Sequence, residues 1–133
     1  LNPEINVGIL VNTYLKKNSS SDIKVVINNF DDVMYLSRSD IPSDSRVENA
    51  SMLKAYHIVP FRKEFLLEFT KLEKGTLEKV EFNEYLRILE HGHKIRAVHV
   101  NSDAISVDTA DDLEYVRNRM DSDSWLQKYN HSN

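Results

Sequence analysis

With 133 residues and a mass of 15.5 kDa, the chain would expose roughly 7,000 Å² when folded against roughly 22,000 Å² unfolded, which suits one core and not two full domains. Hydrophobic residues at 41% and charged residues at 29% exclude wholesale disorder. Seventeen basic against 21 acidic side chains leave a net charge of −4, which provides no footprint for nucleic acid or an anionic membrane surface.

No apolar run reaches the roughly 20 residues of a bilayer span, and no basic-then-apolar leader opens the chain, so membrane insertion is not expected. The absence of cysteine removes disulfides, thiolate nucleophiles and Cys-ligated zinc, and it suits a reducing compartment. The cytoplasm is therefore the expected location, and the sequons at Asn18, Asn49 and Asn130 read as chance.

In chain order, residues 3–17 read as a helix with Pro3 in its first turn and Ile5, Ile9, Leu10 and Tyr14 on one face. A helix already under way implies that further chain precedes this segment in the parent gene product. After a polar break, Ile23–Ile27 is short and β-branched and reads as a strand. Residues 28–32 carry turn chemistry and Val33–Leu36 a second strand, together a hairpin. Residues 37–51 read as a loop, and Lys54–Phe61 returns to strand character. Phe65, Leu66, Phe69 and Leu72 are spaced as a helix ending at Gly75. Thr76 is expected to cap a single helix running to Glu90, with Gly92 as its stop. Lys94–Val100 alternates as a strand, and residues 104–107 read as a short one. Asp108 or Thr109 caps a helix bearing Leu113, Val116 and Met120, and a short docked helix around Trp125, Leu126 and Tyr129 closes the chain. Strands alternating with helices, plus one hairpin, imply an α/β fold with a partly parallel sheet.

The densest motif is Val107-Asp108-Thr109-Ala110-Asp111-Asp112-Leu113. It places a carboxylate where an apolar strand gives way to a helix, the position at which open α/β sheets bind ligands. Such a carboxylate suits a hard cation beside a phosphate. It equally suits a helix cap, with Asp111 and Asp112 complementing the dipole.

Four segments in order carry a resemblance. Met34-Tyr35-Leu36-Ser37-Arg38-Ser39-Asp40-Ile41-Pro42 is similar to "LYFSRSPIP", and Pro60-Phe61-Arg62-Lys63-Glu64-Phe65-Leu66 to "AYRxxFL". The run from Leu77 to Gly92 is similar to "LEQIExLEQLRxLExG", and Val107-Asp108-Thr109 through Leu113 to "VDTPEDL". Together, over roughly residues 23–120, they resemble the C-terminal half of the CMP-Kdo synthetase (3-deoxy-manno-octulosonate cytidylyltransferase) family, related to the acylneuraminate cytidylyltransferases. The family's Arg- and Gly-rich diphosphate loop and its "GDxP" metal aspartate are not among these residues, so catalysis by this segment alone is not expected.

The resemblance implies the C-terminal portion of a Rossmann-like nucleotide-diphospho-sugar transferase fold, with a mixed sheet, a hairpin and flanking helices. Residues 1–133 would form one domain or segment, with 23–60 as the candidate region of a homodimer contact and the CTP-binding half absent. It implies an enzyme that activates a 2-keto-3-deoxy sugar acid with CTP and Mg²⁺, releasing pyrophosphate and supplying surface polysaccharide (lipopolysaccharide) synthesis. Asp108 matches the C-terminal metal-ligating aspartate. Arg38 matches an arginine facing the sugar acid, where a guanidinium suits a carboxylate. Glu81 and Glu84 match helix carboxylates near the sugar hydroxyls. Read without the resemblance, Arg38 is a strand-end charge, and Glu81, Glu84, Arg87 and His91 form a self-paired helix face.

Two departures fall on the sugar side. Tyr85 stands where the family commonly has Gln, and Ala55 occupies the place of a family histidine unless His57 substitutes through a two-residue strand shift, moving the ring by roughly 7 Å. Another acidic sugar than Kdo is compatible with both. His91, His93 and His99 do not suggest zinc, because Gly92 separates the first pair and no Cys completes a site; no Gly-x-Ser-x-Gly elbow suggests a serine nucleophile. The competing readings are a non-catalytic oligomerisation or binding module on the same scaffold, and a nucleotidyltransferase using another nucleotide or sugar.

Overall fold

Val7, Ile9 and Val11 are fully buried at alternate positions, and the latter two lie in a strand, β1 (Gly8–Tyr14), that Val7 leads into. The expected helix over 3–17 is thus corrected. Ile5, Ile9 and Leu10 fit a helical stripe, but Val7 and Val11 complete a period of two. A run of β-branched residues also packs better on a pleated surface buried on both faces. The structure, a computed structural model, describes residues 5–48, 50–101, 105, 107 and 109–130, with only the backbone of Trp125, Gln127 and Asn130. It divides into two units, residues 1–101 and 102–133.

The first unit is built on a five-stranded mixed sheet of order β3-β2-β4-β1-β5. β2 (Lys24–Ile27) and β3 (Val33–Ser37) form the expected antiparallel hairpin. β4 (Met52–Ala55) pairs antiparallel with both β1 and β2, while β5 (Arg96–His99) runs parallel to β1. Residues 38–51 contain no strand or helix among those described. The strand expected over 54–61 ends at Ala55. Beyond it the chain still follows β1, with the Gly8 amide donating to the Pro60 carbonyl (3.0 Å) and the Arg62 amide to the Asn6 carbonyl (2.8 Å). Pro60 has no N–H for a regular ladder.

The hairpin tip reaches β5. The Val33 amide donates to the Ile95 carbonyl at 2.9 Å, and the Ala97 amide to Asp31 at 2.8 Å. The Asp32 carboxylate adds ion pairs to Arg96 (2.9 Å) and Lys94 (3.4 Å). Phe65, Leu86, Ile88 and Ile95 join the strand residues, Leu36 among them, in one buried core.

α1 (Lys63–Phe69) buries Phe65 and sets Phe69 against Phe61 in a tilted ring contact, with centres 5.5 Å apart. The single helix expected from Thr76 to Glu90 is two: α2 (Thr76–Glu81) and α3 (Tyr85–Glu90). The break is at Phe82, which adopts the left-handed conformation (φ 49°, ψ 48°). Asn83 then accepts from the Tyr85 amide through Oδ1 at 3.0 Å, restarting the helix. Nor does Thr76 cap α2. Its N-cap is Gly75, and the Leu77 and Glu78 amides donate to the Glu90 carboxylate at 2.8 and 3.2 Å. A Cβ on residue 75 would lie 2.1 Å from that carboxylate, so glycine leaves the space it occupies.

The second unit contains α4 (Ala110–Met120) and α5 (Ser124–Asn130). Thr109 caps α4 in a capping box, its hydroxyl accepting from the Asp112 amide (3.1 Å) while its own amide donates to the Asp112 carboxylate (3.0 Å). Asp111 and Asp112 stand early and Arg117 and Arg119 late, as the helix dipole favours. The expected strand over 104–107 lies partly outside the described residues, and Ile105 and Val107 belong to no strand. No helix among the described residues is long and apolar enough to cross a membrane.

Candidate functional site

β3 ends at Ser37, so Arg38 emerges from the sheet beside the turn that separates α2 from α3. Its side chain holds that turn. Nε donates to the Glu81 carbonyl at 2.8 Å and one terminal nitrogen to the Phe82 carbonyl at 3.2 Å, while the other donates to Ser20 at 2.9 Å. A guanidinium has five N–H donors, so these three bonds leave one N–H on each terminal nitrogen.

The contact is reciprocal. The Glu81 carboxylate accepts from the Arg38 amide (2.9 Å), the Ser37 hydroxyl (2.7 Å) and the Tyr35 hydroxyl (3.3 Å). Burial would raise the Glu81 carboxyl, but these hydrogen bonds and the Arg38 charge outweigh it and hold it below the ordinary glutamate range. Glu81 therefore stays ionised and anchors the turn to β3. Tyr35 is pushed the other way, by burial and by the Glu81 charge.

Two further expected site residues follow on the same turn. Glu84 is exposed and lines a hollow of about 460 Å³ with Lys74, Lys79, Phe82, Asn83 and Arg87. Tyr85 is half-buried against the core, and burial, helped by Glu84, raises its hydroxyl. His57 is exposed on the segment after β4. Asp108 lies outside the described residues. The structure thus brings Arg38 and Glu81 into contact and carries Glu84 and Tyr85 on from them, without His57.

A residue not singled out from sequence holds the other side of Arg38. Lys24 is completely buried, and its ammonium donates to the carbonyls of Ser19 (2.5 Å), Asp22 (3.0 Å) and Arg38. Its counter-charge, Asp40, stands 3.5 Å away. A lysine between β-branched residues was the available sign, since an unsatisfied ammonium there would be prohibitive.

Asp22 sits alongside, accepting from the hydroxyls of Tyr14 (2.5 Å) and Ser19 (2.6 Å) and pairing with Lys54. Burial opposes its ionisation, yet Lys54 and the two hydroxyls bring it down to about 2. Tyr14 is pushed up to about 12, by burial and then by its bond to Asp22.

Among the described residues no group of three or more His, Cys, Asp or Glu side chains is arranged to hold a metal. His91 faces the Glu73 carbonyl (3.0 Å), His93 meets the Phe65 ring (4.8 Å between centres) and His99 stands 3.4 Å from Asp31.

A mixed sheet with flanking helices fits a Rossmann-like transferase fold, and comparison with known proteins makes it particular. The chain is 33% identical over 120 residues to the 3-deoxy-manno-octulosonate cytidylyltransferase of Fusobacterium nucleatum, covering 88% of the chain and 49% of that protein. It is 40% identical over 97 residues to the enzyme of the same name from Syntrophus aciditrophicus, covering 71% and 39%. It is also 31% identical over 114 residues to the 8-amino-3,8-dideoxy-manno-octulosonate cytidylyltransferase of Shewanella piezotolerans, covering 86% and 46%. A solved structure of CMP:2-keto-3-deoxy-manno-octonic acid synthetase complexed with CTP superposes with a TM-score of 0.80 at 32% identity, over 91% of this chain and 51% of that one. No family model matches. The chain is similar to part of the CMP-Kdo synthetases, and it spans about half the length of the curated relatives it matches.

Proposed function

We propose that this chain is the sugar-binding, metal-ligating and dimerising part of a cytoplasmic cytidylyltransferase that activates a Kdo-like sugar acid with CTP for surface polysaccharide synthesis. The observation that carries the sugar side is the Arg38–Glu81 contact. Charge and hydrogen bonds fix the β3 exit to the α2–α3 turn, and the same arginine keeps two donors for a carboxylate while Glu84 and Tyr85 lie one step along the chain. Holding a sugar acid in line for attack is an orientation task, and a rigid, ionised clamp performs it at little cost in ordering.

Asp108 would supply this chain's ligand to Mg²⁺, which when bound offsets triphosphate charge. The hairpin and following loop, residues 23–60, would supply the subunit contact. The Shewanella relative, named for an 8-amino sugar, favours a second reading of the substrate alone. Tyr85 and Ala55 depart from the family pattern on the sugar side.

The test joins this chain to a nucleotide-binding N-terminal half from a relative and supplies CTP, Mg²⁺ and either Kdo or its 8-amino analogue. Pyrophosphate release with one sugar supports the reading and selects the substrate. Silence from a folded, CTP-binding protein with both would refute it in favour of a non-catalytic module.

A further inference from the structure

Phe82 is a residue that the fold does not use. Its backbone is in the left-handed region, where a bulky side chain is an outlier that Gly or Asn would relieve. The residue is 82% exposed, so little burial offsets that cost. The conformation is nonetheless over-determined. Arg38 holds the carbonyls on either side of the Phe82 α-carbon, the Asn83 amide donates back to the Glu78 carbonyl at 3.3 Å, and buried Asn83 restarts the helix. Strain held in place by its surroundings marks functional positions.

The ring borders the hollow described above. Lys74 and Lys79 bring exposed ammonium groups to it, and Glu84 brings an exposed carboxylate. Glu78 and Arg87 in its wall neutralise one another through two contacts of 2.6 Å, so the groups that face a ligand are the two lysines, Glu84 and the aromatic face. Their chemistry is complementary to a sugar whose carboxylate is left to Arg38: apolar C–H face on the ring, hydroxyls donating to Glu84 and accepting from Lys74 and Lys79.

We propose that the Glu81–Glu84 turn is strained in order to present Phe82 as a stacking platform for the ring of an acidic sugar. This rests on the sugar-acid reading above and deepens it by naming a specificity-determining residue at a position where the family pattern is variable.

The experiment titrates Kdo into the 133-residue chain, following backbone amides by NMR, with methyl glucoside as the uncharged comparison. Kdo should perturb amides between Lys74 and Arg87. Phe82→Ala and Phe82→Gly should bind it at least fivefold more weakly, whereas Phe82→Trp stays within about twofold of the parent. Because glycine accepts the left-handed conformation, Phe82→Gly should melt no lower than the parent, which separates lost binding from lost folding. Unchanged Kdo affinity in Phe82→Ala overturns the platform and leaves the sugar-acid reading standing. Equal binding of methyl glucoside overturns the acidic class. A chain that Kdo does not perturb overturns the proposal outright, while pyrophosphate release from the completed enzyme decides the reading beneath it.

Discussion

Lys24 donates to the carbonyl of Arg38 from the interior, while the Arg38 side chain reaches outward to the carbonyls of Glu81 and Phe82. One residue is thus gripped by its main chain on the core side and grips the α2–α3 turn on the other. Replacing Lys24 by Met keeps the volume but strands three carbonyls and leaves Asp40 without its counter-charge. Breaking one partner of such a buried cluster costs about 3 kcal/mol. Urea unfolding of Lys24→Met should show that loss, and a change below about 1 kcal/mol would mean that the cluster rearranges freely.

Glu81 and Glu84 separate structure from recognition on one turn. Glu81→Gln loses the charge that the Arg38 amide and the Ser37 and Tyr35 hydroxyls jointly stabilise, and it should cost about 1–2 kcal/mol. Glu84→Gln, at an exposed position, should leave the melting temperature unchanged. In the completed enzyme Glu84→Gln should raise the KM for the sugar several-fold. Thermal melts and sugar-dependent kinetics on both variants check the division, and the opposite pattern would exchange the roles.

The Asp22–Tyr14 hydrogen bond predicts how stability depends on pH at both ends. Asp22 is depressed to about 2, so its contribution is complete above the unfolded value near 4 and is lost as pH falls from about 4 toward 2. Two pH units correspond to about 2.7 kcal/mol. Tyr14 is raised to about 12, so its contribution is present below about pH 10 and is lost as pH climbs from there toward 12. Asp22→Asn should destabilise the protein at pH 7 and flatten the acid limb. Chemical denaturation at pH 3, 7 and 10.5 would expose the opposite trend if either sign were wrong.

What could be read from the sequence follows from which residues act through neighbours in the chain. The hairpin, β5 and α4 rest on local chemistry: a β-branched run, Asn28 and Asp32 at the turn, the Thr109–Asp112 box. β1 misled because Ile5, Ile9 and Leu10 satisfy a helical stripe, and its decisive neighbours, β4 and β5, lie more than 30 residues away. The break at Phe82 was hidden for a similar reason. Nothing local favours a left-handed phenylalanine, and the groups that enforce it include Arg38, 44 residues earlier. Arg38 and Glu81 were visible as a motif, but their contact was not, because it joins a strand end to a helix end that only the fold brings together.

Asp108 is the residue on which the metal side of the proposed reaction turns. Thr109 caps α4, so the helix keeps its capping box when the Asp108 charge is removed. Asp108→Asn in the completed enzyme should therefore reduce turnover at least 100-fold, the scale of losing one preorganised electrostatic contact to the transition state. The melting temperature should barely move. Raising Mg²⁺ should recover part of the rate, because a weakened ligand set is refilled by mass action. Pyrophosphate release across a Mg²⁺ series, set beside thermal melts of both proteins, is the measurement. Near-normal turnover at every Mg²⁺ concentration would remove Asp108 from the metal site, whereas a parallel fall in rate and melting temperature would assign it to holding the α4 entry instead.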